Sequence, residues 1–500
     1  MKAIAMKPTS DTTGARFPEY GADTRFAMLI DGEWVQAADG RSFSCRDPYE
    51  NIAWGQIPLA GATDVDRAVD AAQRAFPAWS ALPPAGRGAL LRRLAAAIEA
   101  SGEELARLQV RENGKTISEM RAVSQSLAGD AHYFAALAEM AMGETFHSNI
   151  PGHEGWTTSD PIGVIGAITP WNNPLGLLGW KLWPALAAGN CIVIKPSEVT
   201  PASTLVLARL AVEAGLPKGV INVVTGDGTT GAALASHPRV DKIAFTGSTA
   251  TGKAIARAAI DRMARVTLEL GGKSPNIVFA DANLDRAVEG LVTGLTAGMG
   301  QACNAGSRLL IQASVYDEVR DRLAARLAEL RIGDPLDPAV HLGPLASEPQ
   351  FKKVCSYFDI AQEEGLTAIT GGKVAHVSEA PSGFFVEPTI YDRVPASSRL
   401  VNEEIFGPVG VMMPFEDEAE AVRIANDSSY GLVAGLWSQD VSRVHRMIGA
   451  LRSGTVWANT WRLIHRQAPF GGVRQSGWGR ELGVHALKAY MEPKTVWLSF

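Results

Sequence analysis

Only four cysteines occur in 500 residues (Cys45, Cys191, Cys303 and Cys355), and no two share a CxxC spacing. That scarcity argues against a disulfide framework and against a thiolate zinc site, whose ligands come in close pairs. No metal ligand set is expected. Long apolar runs are also missing: none approaches the ~18–20 residues needed to span a bilayer, so no membrane partner is expected. Nor is there an excess of basic charge. Lys and Arg number 47 against 53 Asp and Glu, a formal net charge of -6. This disfavours nucleic acid as a partner, because neutralising phosphates requires a basic face. The first residues lack a signal-peptide apolar stretch, and Asp11, Glu19 and Asp23 spoil an organelle-transit pattern, so a cytoplasmic address is expected. Residues 1–25 are polar and read as a tail, or as an arm over a neighbouring subunit.

The chain does have glycine and alternating structure. Fifty glycines and 46% hydrophobic residues suit a large α/β enzyme, and the length implies two to four domains at ~100–200 residues each. Asp31-Gly32 centres a hairpin over 29–35. Helical spacing predicts a helix over 64–76 and one long helix over 86–113, ended by Asn113-Gly114. From Ile162 short β-rich runs (164–168, 191–195, 220–224, 242–245) alternate with helices (177–188, 202–214, 230–236). Such alternation, with strands apolar on both faces, implies a parallel sheet that binds ligands at its carboxyl ends. A second α/β block starts near Pro275, with helices over 284–295 and 316–330 and strands around 435–437 and 455–457. The closing run 494–500 alternates like a strand in need of a sheet edge, its own chain's or another subunit's.

Three of the cysteines read as small buried hydrophobes. Cys191 lies in a strand, Cys355 in a helix, and Cys45 just before the Asp47-Pro48 turn. Cys303, in Gly300-Gln301-Ala302-Cys303-Asn304-Ala305-Gly306, has a glycine-rich approach that would expose its sulfur. Upstream lies Glu269-Leu270-Gly271-Gly272-Lys273-Ser274-Pro275. A thiol nucleophile and a carboxylate able to activate water are the two reagents that make and hydrolyse a thioester. The segment 242–253, with Thr246-Gly247-Ser248, reads as strand, glycine turn and helix start, which suits a phosphate or an ordinary βα turn equally well. Lys195-Pro196-Ser197-Glu198 ends a neighbouring strand, where a Lys and an acid can meet ribose hydroxyls. The acid there repels a 2′-phosphate, favouring NAD over NADP. In Thr169-Pro170-Trp171-Asn172-Asn173-Pro174 a rigid turn can hold an amide donor toward an oxyanion, although an Asn in a turn more often serves its own backbone.

These motifs, together with Glu403-Glu404-Ile405-Phe406-Gly407-Pro408, Asn426 with Tyr430-Gly431-Leu432, Pro469-Phe470-Gly471-Gly472 and Gly479-Arg480-Glu481, run in order from about Phe26 to the end. The chain thereby resembles the NAD(P)-dependent aldehyde dehydrogenase superfamily. The resemblance implies Cys303 as nucleophile, Asn172 with the Cys303 backbone N–H as oxyanion donors, Glu269 as base for deacylation, and Lys181 with Glu481 as a proton relay behind it. It implies cofactor contacts at Thr169, Trp171, Lys195, Ser197, Glu198, Gly228, Gly247, Ser248, Thr251, Gly271, Glu404 and Phe406. The aldehyde tunnel would be lined by Asn173, Leu177, Trp180, Ala297, Ala302, Asn304, Ile464 and Phe470. Arg462 and Arg466 are either meeting points for a substrate carboxylate or solvated loop residues.

The implied fold joins a Rossmann-type parallel-sheet NAD-binding domain (26–139 and 161–271), an α/β catalytic domain (272–479) and a small β oligomerisation extension (140–160 and 480–500). A homodimer or homotetramer is implied, acting on a small-molecule aldehyde of aromatic or semialdehyde type. Coenzyme-A-acylating relatives generally lack the glutamate base, so Glu269 favours the hydrolytic branch. A non-catalytic binding protein on the same fold would not need Cys303, Glu269 and Asn172 together. A thiol hydrolase would cleave esters without cofactor.

Overall fold

Alternating β-rich and helical segments fold around two separate parallel sheets in the computed structural model, which describes residues 5, 6, 16, 17, 20, 21, 24–140 and 142–500. The first sheet has eight strands. In spatial order these are Gly477–Trp478, Arg265–Glu269, Lys242–Thr246, Val164–Ile168, Cys191–Lys195, Ile221–Val223, Met28–Ile30 and Glu33–Val35. The five strands from 265–269 to 221–223 are parallel, and an antiparallel strand closes each edge. Val164–Ile168, Cys191–Lys195 and Lys242–Thr246 are buried along their whole length. That is why their sequences run apolar rather than alternate. The chain goes one way from Val164–Ile168 to the 191–195 and 221–223 strands, then crosses back to 242–246 on its other side. The strand order therefore reverses between Ile168 and Thr246, and that crevice is where open α/β sheets bind ligands.

The second sheet has seven strands, in the order Ala368–Thr370, Thr389–Tyr391, Val409–Phe415, Arg308–Gln312, Pro275–Val278, Val433–Trp437 and Thr455–Ala458. All its pairings are parallel except the first. Two apolar clusters line it, one around Ile277, Phe279 and Phe415 and the other around Leu291, Leu309 and Trp437. A three-stranded antiparallel sheet of Met491–Ser499, His153–Pro161 and Thr145–Phe146 stands apart from both. Its outer strand exposes Trp497 and Leu498.

Several expectations change in detail. The single helix expected over 86–113 is two, Pro84–Ala100 and Gly102–Asn113, meeting at Ser101, whose ψ of 14° leaves the helical range. A helix over Ile117–Leu137, not expected from spacing, packs between these and the helix Pro174–Ala188. Most of the expected N-terminal arm lies outside the described residues. Its described parts lie on the chain itself: Ala5–Met6 pairs with Arg25–Phe26, and Phe17 is buried beside Val110 and Met120.

Candidate active site

Cys303 sits in the loop after the helix Leu284–Thr296 and a short turn over Ala297–Gly300. Two glycines allow that loop to lie where it does. Gly300 has φ +64°, and any Cβ on it would collide with the Gly407 carbonyl; a Cβ on Gly272 would collide with the Cys303 carbonyl. The Cys303 loop is thus pressed against both the Leu270-Gly271-Gly272 segment and the Phe406-Gly407 segment.

Cys303 is half-buried, whereas Cys45 and Cys191 are buried within strands. Burial, reinforced by the carboxylates of Glu269 and Glu404, pushes its thiol up to about 12, with the Arg462 charge pulling the other way. The resting sulfur is therefore protonated and needs help to ionise. Asn172 is buried beside it, and its Nδ2 donates to the Gln301 carbonyl at 2.8 Å. One of the two amide N–H groups is thereby fixed in direction, leaving the other for an oxygen near the sulfur.

Glu269 ends the strand Arg265–Glu269 and is buried, with neither carboxylate oxygen accepting a hydrogen bond from any described residue. Burial, and then the neighbouring Glu481, raise its carboxyl well above the usual range; Lys181 and Arg480 pull it back. Its Oε1 lies 2.6 Å from where a Cβ on Gly471 would stand, so the carboxylate is turned toward that glycine. Lys181, fully buried on the helix Pro174–Ala188, donates to Thr246 Oγ1 at 2.6 Å and to Glu481 Oε1 at 2.5 Å. Glu481 keeps its other oxygen unpartnered. One ammonium thus pairs with Glu481 and acts on Glu269 through its charge alone.

A pocket with about 630 Å³ of empty space opens onto the sulfur. It is lined by Asn172, Leu177, Cys303, Gly271, Glu404 and Phe406, among others. Through shared walls at Pro170, Trp171, Thr246, Gly247 and Ser248 it continues into a groove of about 1490 Å³ along the sheet's reversal point. Thr169, Lys195, Ser197, Glu198, Gly228 and Thr251 line that groove. All twelve residues picked from sequence for the cofactor therefore fall on one continuous channel. Lys195 Nζ donates to the Gly226 carbonyl at 2.9 Å and stands 3.7 Å from the Glu198 carboxylate, which reaches solvent. The buried Thr169 hydroxyl has no hydrogen-bond partner among the described residues. Ser248 caps the helix Thr249–Ile260 by accepting from the Thr251 N–H at 3.2 Å. Ala232, Ala235, Ala254 and Ile255 form an apolar wall. An unpaired hydroxyl, a helix N-terminus, a Lys–Glu pair and an apolar wall are the donor set a dinucleotide needs.

Glu404 accepts from the Gly272 N–H at 2.8 Å, and the Phe406 ring meets Trp171 edge-on at 5.3 Å. Sequence reasoning missed what holds these two. Gln350 Nε2 donates to the Ile405 carbonyl at 3.1 Å and to the Phe406 carbonyl at 2.8 Å, and Lys353 Nζ donates to the Glu404 carbonyl at 2.8 Å. Both come from the helix Glu348–Glu363, whose start is marked by Ser347 and a proline but by nothing that suggests a site.

The residues expected along the tunnel are less uniformly gathered. Leu177 lines the inner pocket. Trp180 and Phe470 meet ring to ring at 5.3 Å, and Trp180, Ile464 and Cys303 pack on the same apolar cluster. Asn304 is buried, while Ala297 and Ala302 are half-buried beside the sulfur in the chain. The Asn173 side chain folds back over its own helix start at Gly176. Arg466 is bound to Asp130 by an ion pair of 2.9 Å. Among the described residues no group of three or more His, Cys, Asp or Glu is placed to hold a metal, and no helix is long and apolar enough to cross a membrane.

With this geometry in view, comparison with known proteins gives one consistent result. The aldehyde dehydrogenase family model matches residues 34–496. A betaine aldehyde dehydrogenase of Bacillus subtilis (strain 168) is 42% identical over 473 residues, covering 94% of this chain and 96% of that one. The crystal structure of a putative aldehyde dehydrogenase from Burkholderia cenocepacia superposes with a TM-score of 0.93 at 45% identity, covering 94% of this chain and 97% of the other. PnpE in complex with nicotinamide adenine dinucleotide matches with the same TM-score of 0.93 and the same 45% identity, over 95% of this chain and 97% of that chain. The chain belongs to the aldehyde dehydrogenase family.

Proposed function

We propose that this protein oxidises an aldehyde to its carboxylic acid with NAD, through a thioester on Cys303 that Glu269-activated water hydrolyses. The observation that carries the reading is the single channel running from the Lys195–Glu198 pair to the Cys303 sulfur, with Asn172 on its wall. Thr169, Lys195, Glu198 and the N-terminus of the helix Thr249–Ile260 would hold the dinucleotide's adenosine and phosphates, and Glu404 its second ribose. Bound there, NAD would supply the hydride acceptor and a positively charged nicotinamide ring.

The chain's own groups do the rest. The Cys303 thiol first gives its proton to solvent water; the thiolate sulfur then bonds to the aldehyde carbon, and the carbonyl electrons move to oxygen, where Asn172 and the Cys303 N–H stabilise them. Loss of hydride from that carbon leaves a thioester. Glu269 then takes a proton from water as its oxygen attacks, the C–S bond breaks, and the thiolate leaves with the acid freed. Because the Glu269 carboxylate is turned toward Gly471, it swings toward the sulfur to do this. The Lys181–Glu481 pair would accept the proton it collects.

The enzyme substrate reads as an aromatic aldehyde or a semialdehyde. We assign residues 26–139 and 161–271 to cofactor binding, 272–479 to catalysis, and 140–160 with 480–500 to homo-oligomer formation. The open edge of Met491–Ser499, with Trp497 and Leu498 exposed, supports the last of these. NADH formation from NAD with a panel of aliphatic, aromatic and carboxylated aldehydes tests the function. Production of acid and NADH in equal amounts is expected; binding of NAD with no turnover of any aldehyde would overturn it.

Cofactor choice gives a separate expectation. A carboxylate at 198 repels a 2′-phosphate, so wild type is expected to favour NAD over NADP. Glu198→Gln should narrow that preference roughly tenfold, on the order of 1 kcal/mol for an exposed charge pair, as measured by the ratio of kcat/KM values.

A further inference from the structure

Sequence placed Arg462 and Arg466 together as candidates for a substrate carboxylate, but the structure separates them. Arg466 donates through Nε to Asp130 Oδ1 at 2.9 Å, and Asp130 is buried on the helix Ile117–Leu137. Its charge is already matched. Arg462 is half-buried, with a left-handed backbone at φ 60°, and makes no hydrogen bond or ion pair among the described residues. The segment that carries it is fixed from behind by the Trp457 indole, which donates to the Leu463 carbonyl at 2.9 Å.

A second unpaired cation lies nearby. Lys115 is 6% exposed, and its ammonium has no hydrogen-bond or ion-pair partner among the described residues. It sits in the turn between the helices Gly102–Asn113 and Ile117–Leu137, and its Nζ lies 2.8 Å from where a Cβ on Gly298 would stand. Gly298 belongs to the turn just before Cys303, so Lys115 abuts the nucleophile's own loop. Arg462 reaches the same region, because its neighbour Trp461 packs against Gly294 and Gly306 on either side of the Cys303 loop, and the charges of Lys115, Arg462 and Cys303 act on one another. The acid facing this group, Glu119, offsets part of the Lys115 charge, but its oxygens accept hydrogen bonds from other groups, and the two cations outnumber it by one. Oε1 accepts from the Gly298 N–H at 2.7 Å, and Oε2 accepts from the Thr116 hydroxyl at 3.2 Å.

Holding an unpaired ammonium in a buried place costs free energy, and a carboxylate brought alongside would remove that cost. A guanidinium and an ammonium both offer N–H donors that a carboxylate can accept. We propose that Lys115 and Arg462 form a subsite for a carboxylate carried by the aldehyde substrate away from its carbonyl, so that the preferred substrates are aldehyde acids. The apolar wall of Trp180, Ile464 and Phe470 would cover the carbon chain between the two ends. The same two charges repel a quaternary ammonium, so betaine aldehyde is expected to be a poor substrate despite the likeness to betaine aldehyde dehydrogenases. This inference rests on the oxidation reading above.

The test compares each acid with its uncharged twin: succinic semialdehyde and 4-carboxybenzaldehyde against their methyl esters, with NAD and the full-length enzyme. Wild type is expected to favour the acids. In Arg462→Gln the acid-to-ester ratio of kcat/KM should fall about ten- to a hundredfold, mainly through KM of the acid. Arg462→Lys should recover part of it, and Lys115→Met should lower the ratio in the same direction. Equal rates for acid and ester in wild type would overturn the subsite alone. So would an equal loss on both in Arg462→Gln, which would mean that the arginine serves the Cys303 thiolate. Failure of every aldehyde to yield NADH would overturn the oxidation reading and the subsite with it.

Discussion

Replacing Cys303 with alanine should bring aldehyde oxidation to background, a loss of about six orders of magnitude by analogy with the removal of other covalent nucleophiles. NAD should still bind with near-unchanged affinity, because the channel walls that would hold it come mostly from the parallel sheet of 164–269 and from the Glu404–Phe406 segment. Cys303 is the cysteine whose sulfur opens on that channel; the Cys45 and Cys191 side chains are enclosed in strands, and Cys355 lies on the helix Glu348–Glu363 away from it. Alkylation kinetics sharpen the point. With its thiol held at about 12 by burial and by Glu269 and Glu404, Cys303 should react slowly with iodoacetamide at neutral pH, and faster as pH rises. A positive charge beside the sulfur favours the thiolate, so NAD should speed labelling. Turnover surviving in Cys303→Ala would remove the covalent mechanism.

Glu269→Gln should separate the two halves of the reaction. Hydride transfer needs the sulfur and the oxyanion donors, whereas hydrolysis needs a base. The variant should therefore release about one NADH per active site rapidly and then turn over about 10²–10⁴-fold more slowly than wild type. In wild type, burial and Glu481 raise the Glu269 carboxyl, so the base is lost as pH falls through a value above the ordinary 4.5. Deacylation should accordingly weaken at a higher pH than a solvated glutamate would give. The same shift bears on stability with a definite sign. A carboxyl whose folded pKa is raised destabilises the fold as pH climbs from the unfolded value through the folded one. Glu269→Gln removes that burden, so its thermal midpoint at neutral pH should be no lower than wild type's. Loss of both the burst and the steady rate, in a stable variant, would show that Glu269 serves the first half-reaction.

What the sequence disclosed, and what it hid, follows from how far apart the interacting parts lie. The alternation from Ile162 to Thr246 was readable because each strand is buried on both faces and each turn is marked by glycine or proline. The strand-end motifs were readable for the same reason, since each acts through neighbours in the chain. The helix Ile117–Leu137 was not. Its buried face, from Ile117 and Met120 through Leu127 and Ala131 to Phe134, does repeat at helical spacing, but Ser124 and Asp130 lie on that face while Ala122 and Ala136 lie on the exposed one, so the contrast between faces is weak. Nor did periodicity reveal the break at Ser101, which keeps the apolar spacing on both sides. Lys115, Gln350 and Lys353 gave no signal, since each acts on a segment far away in sequence. Arg462 and Arg466, four residues apart, looked equivalent until Asp130 was seen to claim one of them.

The central claim is that a thioester forms on Cys303 and waits for Glu269. Intact-protein mass spectrometry of Glu269→Gln, mixed with NAD and an aldehyde that wild type oxidises, tests it most directly. A mass increase equal to the acyl group, mapped by peptide analysis to Cys303 and absent without NAD, is the expected result. An unmodified protein at the end of a normal NADH burst, or an acyl group on another residue, would contradict it.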